Sequence, residues 1–345
     1  MHMADALISP AVGGAMWAAS AGLIAYSSKK VKDTADDRKI PLMGVLGAFI
    51  FAAQMINFTI PATGSSGHLG GGMILSILLG PYAAFLVMAS VLVVQALFFG
   101  DGGLLALGCN IFNLGFWPCF IVYPLIYKKI VGDDPTKGRI MTGSLIAAII
   151  GLQLGAFSVV LETVFSGISE LPFSTFILLM QPIHLAIGIV EGIVTAAVVM
   201  FVWNARPEIL NAAAHLKQIG QISITKVLVG LIIAVVIVGG ALSWFASANP
   251  DGLEWAMFKT AGVEELESEH SIHKSLSSMQ EKTAFLPDYS FKQDETQAEE
   301  PETASKPAWP AVDPGTSVSG IVGGALVLLL SVAIGFLLRR RKASC

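Results

Sequence analysis

Charge is scarce in this chain. Of its 345 residues only 13% are Asp, Glu, Lys or Arg, while 54% are apolar, and the mean hydropathy is +0.70. An ordinary soluble domain carries about a quarter charged residues, so a soluble globular fold is excluded and a chain that crosses a membrane repeatedly is expected. Cysteine is scarce too. Cys109 and Cys119 lie within an apolar run and Cys345 is terminal, which indicates no disulfide framework. No G-x-x-x-x-G-K-[ST] loop occurs, so ATP has no P-loop here, and no H-E-x-x-H marks a zinc protease.

What the chain has instead is apolar runs near 8–28, 40–57, 82–99, 104–127, 140–165, 174–203, 227–247 and 318–338, of the order of the ~20 residues that cross a hydrocarbon core. A shorter run, HLGGGMILSILLG at 68–80, is ambiguous by length. Charge resolves it. Five Lys and Arg lie between Lys29 and Lys39, four between Lys128 and Arg139, three between Arg206 and Lys226, and four at 339–342. Short basic loops stay in the cytoplasm, whereas a long segment translocates regardless of charge. All four groups share one side only if 68–80 is its own crossing, with a turn at Gly80-Pro81. Nine spans are then expected, with the N-terminus outside and the C-terminus inside. The first span has no basic residue before it and a basic stretch after it, the reverse of a signal peptide's polarity, so Met1 is expected to face the outside.

The expected fold is an all-α polytopic membrane protein in two parts. Residues 1–223 hold seven spans with short loops. Residues 224–345 hold two spans, near 227–247 and 318–338, flanking an external segment, 249–317, with 14 carboxylates against five lysines. The later half of that segment reads as a flexible acidic linker.

Six histidines are the candidate chemistry. His270 and His273, in the acidic segment, read as solvated surface groups, and His215 as an inert loop residue. His184 and Glu191, seven residues apart on one helix face, read as a buried pair whose role is structural or functional, because ionisable groups at membrane depth are costly. Glu162 has the same ambiguity. His68 lies in a Gly/Ser-rich outer loop, NFTIPATGSSGHLGGG, able to fold back into the bundle, on the same side as His2.

The opening MHMADALISP then acquires a chemical meaning. The α-amine of Met1, the backbone nitrogen of His2 and its imidazole can close on one metal as fused five- and six-membered chelate rings. An imidazole from His68 completes a planar set of four nitrogens, which suits Ni(II) or Cu(II), with Co(II) possible, rather than Mg or Ca. Binding displaces protons, so affinity is expected to depend on pH.

MHMADALISP, PLMGVLGAFIFAAQMINFTIPATGSSGHLGGG, LLGPYAAFLVMASVLVVQALFFGDGGLLALGCNIFNLG and HLAIGIVEGIVTAAVV together resemble the substrate-binding (S) component of cobalt/nickel energy-coupling-factor transporters, the CbiM/NikM family, over roughly residues 1–203. ANPDGLEWAM at 248–257 resembles the PDGLE segment of the small additional component, so the chain is similar to a fusion of the two. The resemblance implies metal ligation by Met1, His2 and His68; Asp5, Asn57 and Ser66 read either as groups that orient the imidazoles from behind or as caps and turn formers. The family usually reads closer to MHIPDGFLSP, so Met3, Ala4 and Ala6 depart from it, and Thr59 stands where proline is common.

The resemblance also implies a non-catalytic subunit of an ATP-driven importer in a bacterial or archaeal cell membrane. Ni2+ or Co2+ is its cargo rather than a cofactor, and its partners are a transmembrane T component and cytoplasmic ABC-type ATPases. No nucleic-acid partner is expected. The rival readings are an ion-gradient-driven transporter or channel using Glu162 and Glu191, and an intramembrane metalloenzyme using His184 and Glu191.

Overall fold

The computed structural model describes residues 2–169, 171–263, 270–292 and 309–339. Nearly all regular structure is helical: α1 (Pro10–Thr34), α2 (Lys39–Gln54), α3 (Gly72–Leu79), α4 (Pro81–Val94), α5 (Leu107–Val131), α6 (Lys137–Ser166), α7 (Phe173–Ala205), α8 (Pro207–Ala214), α9 (Thr225–Gly240), α10 (Gly252–Ala261), α11 (Ser271–Thr283) and α12 (Pro314–Leu338). Among the described residues five helices are long and apolar enough to cross a membrane, namely α4 with its continuation to Phe99, α5, α6, α7 and α12. α2 and α9 are shorter and equally apolar.

The run at 68–80 differs from the expected full crossing. Its helix, α3, has only 8 residues, about 12 Å at 1.5 Å per residue, and every one of them is buried. The rest of the passage is an antiparallel hairpin, Phe58–Ile60 with Ser65–Gly67, followed by irregular backbone through Gly71. Irregular backbone survives at this depth because protein, not lipid, surrounds it.

Sequence explains the packing around it. Between Lys39 and Gln54 α2 is apolar on all sides, and all its residues but Pro41 are buried, as a central helix must be. Gly188 and Gly192, one turn apart on α7, let its backbone close on α6: a methyl group at either would stand 2.8 Å from the Ile149 Cα or 2.6 Å from the Leu145 Cα. Small residues at this spacing drive helix contact where lipid supplies no hydrophobic difference. The late helices α9 and α12 meet at Gly239 and Gly320 and pack along α2.

The basic loops gather at one end. Gly220 N–H donates to Asp36 at 2.8 Å, Lys128 to the Ala214 carbonyl at 2.9 Å, and Arg339 pairs with Asp37. Chain positions with the helix-turning Gly80-Pro81 join this end, since Gly80 abuts Ala213. The long segment after α9 covers the other end. The stretch 293–308, expected as part of a flexible acidic linker, lies outside the described residues.

Candidate metal centre

The N-terminal segment is tied down on both sides of its third residue. Met3 N–H donates to Asn110 Oδ1 at 2.8 Å, Asn110 Nδ2 donates back to the Met3 carbonyl at 3.2 Å, and Gly103 N–H donates to the same carbonyl at 2.9 Å. The Met3, Leu7 and Ile8 side chains are buried. Asp5 Oδ1 accepts from Leu105 and Ala106 N–H at 2.7 and 3.0 Å, so its carboxylate fastens the terminus to the 101–106 turn. Among the described residues it makes no hydrogen bond to an imidazole. That turn needs glycine: Gly102 has φ +79°, and a methyl on Gly103 would sit inside the Asp5 carboxylate.

The turn presents Asp101 to the second residue. His2 Nδ1 lies 3.1 Å from Asp101 Oδ1, while His2 Nε2 is buried with no hydrogen-bond partner among the described residues. Burial alone would raise the Asp101 carboxyl, but the His2 imidazole and the Tyr289 hydroxyl, both hydrogen-bonded to it, hold it well below the usual carboxylate range. Tyr289 comes from the long segment after α9. Asp101 is the only Asp, Glu, Lys or Arg between Lys39 and Lys128, a signal that could have marked it from sequence.

His68 arrives from the hairpin side. Its Nδ1 lies 3.1 Å from the Leu69 carbonyl, an acceptor that places the ring proton on Nδ1 and the lone pair on Nε2, the usual arrangement of a metal-binding histidine. The next peptides are clamped: Gly70 N–H and Gly71 N–H donate to Glu191 at 2.6 and 3.1 Å, and Gln54 Nε2 donates to the Gly70 carbonyl at 2.9 Å. The His2 and His68 rings lie 4.9 Å apart between centroids with planes 7° apart. An ion bonded about 2.0–2.1 Å from each ring nitrogen holds two imidazole centroids within about 6.5 Å of each other; the rings meet that distance, but they are stacked and each nitrogen lone pair lies in its own ring plane, so one ring must turn before a single ion meets both. Met1, the expected source of the amine, lies outside the described residues.

The remaining sequence candidates take other places. Ser66 faces the late segment: its N–H donates to the Pro250 carbonyl at 2.8 Å and its hydroxyl to the Asn249 carbonyl at 2.8 Å. Asn57 accepts on its carbonyl from Ser247 N–H at 2.7 Å, and its buried Oδ1 has no partner among the described residues. His184 and Glu191 direct their hydrogen bonds apart, His184 Nδ1 to the Met180 carbonyl of its own helix at 2.8 Å and Glu191 to the His68 loop. Glu162 accepts from Asn113 at 2.7 Å, and among the described residues it shares no hydrogen-bond partner with Glu191.

The PDGLE stretch docks directly beside His68. Asp251 caps α10, accepting from Leu253 and Glu254 N–H at 2.7 and 2.9 Å, while Glu254 Oε2 accepts from Asp251 N–H at 2.7 Å, a reciprocal capping box. Gly252 sits against Ile183 and His184, and the charges of Asp251 and Asp101 both act on His68. His2, His68, Asp101, Asp251 and Glu254 line one cavity of 890 Å³, together with residues of α11.

Comparison with known proteins agrees with this division. Residues 2–209 match the family model of the cobalt uptake substrate-specific transmembrane region, and residues 225–340 match the PDGLE domain. A protein of Archaeoglobus fulgidus, named as a fused nickel transport protein NikMN, is 31% identical over 97% of this chain and 98% of its own length. The fused nickel transport protein NikMN of Rhodobacter capsulatus is 31% identical over 61% of this chain and 64% of its own. The crystal structure of a truncated transition metal transporter is similar at 30% identity and a TM-score of 0.53, covering 59% of this chain and 99% of that one.

Proposed function

The chain belongs to the cobalt uptake substrate-specific transmembrane family, carries a PDGLE domain fused behind it, and on that premise we propose that it captures Ni2+ or Co2+ outside the cell and carries it inward as the substrate-specific subunit of an ATP-driven importer. The observation that carries this reading is the pair of imidazoles, His2 and His68, with ring centroids 4.9 Å apart beside a cavity walled by carboxylates. Such a cavity concentrates cations, and nitrogen ligands select a transition metal from them.

In this reading Met1 supplies its amine, His2 its amide and imidazole nitrogens, and His68 its Nε2. The six-membered chelate ring uses His2 Nδ1, the atom that faces Asp101 at 3.1 Å. Metal and Asp101 are therefore alternatives at that nitrogen unless the ring turns about its Cβ–Cγ bond. Asp101 holds the imidazole ready and its charge favours the arriving cation. The domain boundary follows the chemistry: residues 1–223 carry the ligands, and 224–345 supply the cover, lining the cavity with His68 through Asp251 and touching the His2–Asp101 pair through Tyr289.

Energy must come from other chains, since no P-loop is present. α1 supports an outside helix partner. Gly14, Ala18, Ala21, Gly22 and Ala25 are all exposed on it, and a methyl at Gly14 or Gly22 would meet nothing within 4 Å, a face that another membrane helix can approach closely. The partners proposed are a T component and a pair of cytoplasmic ATPases, with the basic loops on their side and the His2 end outside. The test is metal uptake into vesicles holding the chain alone, then the chain with those partners. Uptake that requires ATP and the complete assembly is expected; uptake by the chain alone, driven by an ion gradient, contradicts it and favours a secondary transporter.

A further inference from the structure

The external segment carries a second pair of imidazoles. His270 and His273 stand at the start of α11, three residues apart and so on neighbouring faces of the first turn. In an acidic, polar stretch both were expected to be solvated. The structure corrects this for His273, which is only 4% exposed because α11 presents His273, Leu276, Gln280 and Thr283 inward at helical spacing.

The His273 ring is set up in a way that packing alone does not require. Its Nε2 lies 2.9 Å from the Ile8 carbonyl, and a carbonyl can only accept, so the ring proton is on Nε2 and the lone pair on Nδ1. That Nδ1 is buried and has no hydrogen-bond partner among the described residues. A buried imidazole nitrogen normally finds one; a lone pair opposite an N–H fixed on a backbone carbonyl is the arrangement metal-binding histidines use. The exposed ring of His270 lies beside it, centroids 5.6 Å apart and planes 37° apart. This is inside the limit of about 6.5 Å for two imidazoles on one ion.

Position gives the pair a role. His273 lines the same cavity as His2 and His68, as does Asp5. The carbonyl that holds His273 belongs to Ile8, in the segment that carries His2. The cavity, 890 Å³, is far larger than the roughly 30 Å³ of one water molecule, so an ion can enter it hydrated.

We infer that His270 and His273 form an outer transition-metal site, in which the exposed imidazole meets the hydrated ion and the buried Nδ1 draws it into the cavity on its way to His2 and His68. This rests on the importer reading for its direction, not for its ligands. Two imidazoles with water in the remaining positions bind more weakly than the inner set, as a delivery site must.

The test uses the full-length chain with His2→Ala and His68→Ala, titrated with CoCl2 by equilibrium dialysis while visible absorption follows the Co(II) bands. One bound cobalt is expected, lost on adding His273→Gln and weakened on adding His270→Gln. The glutamine amide can still donate to the Ile8 carbonyl, and position 270 is exposed, so neither change needs to unfold α11; circular dichroism checks this. In the otherwise unaltered chain, the same two changes should slow cobalt loading of the inner site while leaving its equilibrium affinity as it was. No cobalt on the His2/His68 double variant, the same cobalt after both glutamine changes, or an unchanged loading rate overturns the proposal. An unaltered chain that holds a single cobalt, lost with His273→Gln, would instead sink the inner site and leave this one standing.

Discussion

Replacing Glu191 by glutamine should weaken metal binding although Glu191 is no ligand. Its two carboxylate oxygens receive the N–H groups of Gly70 and Gly71 at 2.6 and 3.1 Å, and these peptides directly follow His68. Glutamine keeps one oxygen and turns the other into an NH2 group, which cannot accept. One buried backbone N–H is left without a partner, at a cost of about 1–3 kcal/mol. If that cost falls on the loop geometry the ion requires, a value of about 2 kcal/mol raises Kd about 30-fold. His184 serves as the control, because its recorded hydrogen bond stays within α7, so His184→Ala should leave Kd near that of the parent chain. Isothermal titration of Ni2+ or Co2+ into both variants, each checked for a parent-like thermal transition, reads the difference. Parent-like affinity in Glu191→Gln, or equal losses in the two variants, would refute the argument that Glu191 positions His68.

Three other outcomes follow from the same contacts. His68→Ala should abolish high-affinity binding while the chain stays folded, since the side chain belongs to a loop; near-parent affinity by titration would remove His68 from the site. Asp251→Ala removes the cap of α10 at about 1 kcal/mol, so hydrogen exchange of the Gly252–Ala261 amides should quicken about fivefold, and unchanged exchange would contradict the capping role. Metal affinity should fall as pH drops from about 8 to 6, where free amines and imidazoles take up the protons that the ion must displace. Asp101, held well below the carboxylate range, stays ionised throughout that window, so a flat profile would count against nitrogen ligands.

Composition and charge placement made the membrane class and the shared end of the basic loops legible, because both rest on the energetics of moving charge out of water. The length of α3 was not legible. A short apolar run reads alike whether it is helix or buried loop, and only tertiary burial shows that 68–71 enters as irregular backbone. His2 and His68 could be paired by compartment alone, but Asp101 and Tyr289, 99 and 287 residues further on than His2, reach the site through contacts that no local periodicity encodes. Glu191 looked like a partner of His184 because seven residues put both on one face; the structure turns it to the His68 loop instead. His273 was hidden by its polar neighbours, although its spacing with Leu276, Gln280 and Thr283 was available as a signal.

The central claim is that the chain's own terminus is part of the metal site. Adding Gly-Ser before Met1 leaves every side chain intact, yet moves the free amine out of the chelate and makes the former amine an amide. The measurement is the Ni2+ or Co2+ affinity of that extended chain beside a chain tagged after Cys345, at one pH and under identical conditions. Loss of high-affinity binding in the extended chain alone is the expected result. Equal affinities in the two would mean that the terminal amine holds no metal.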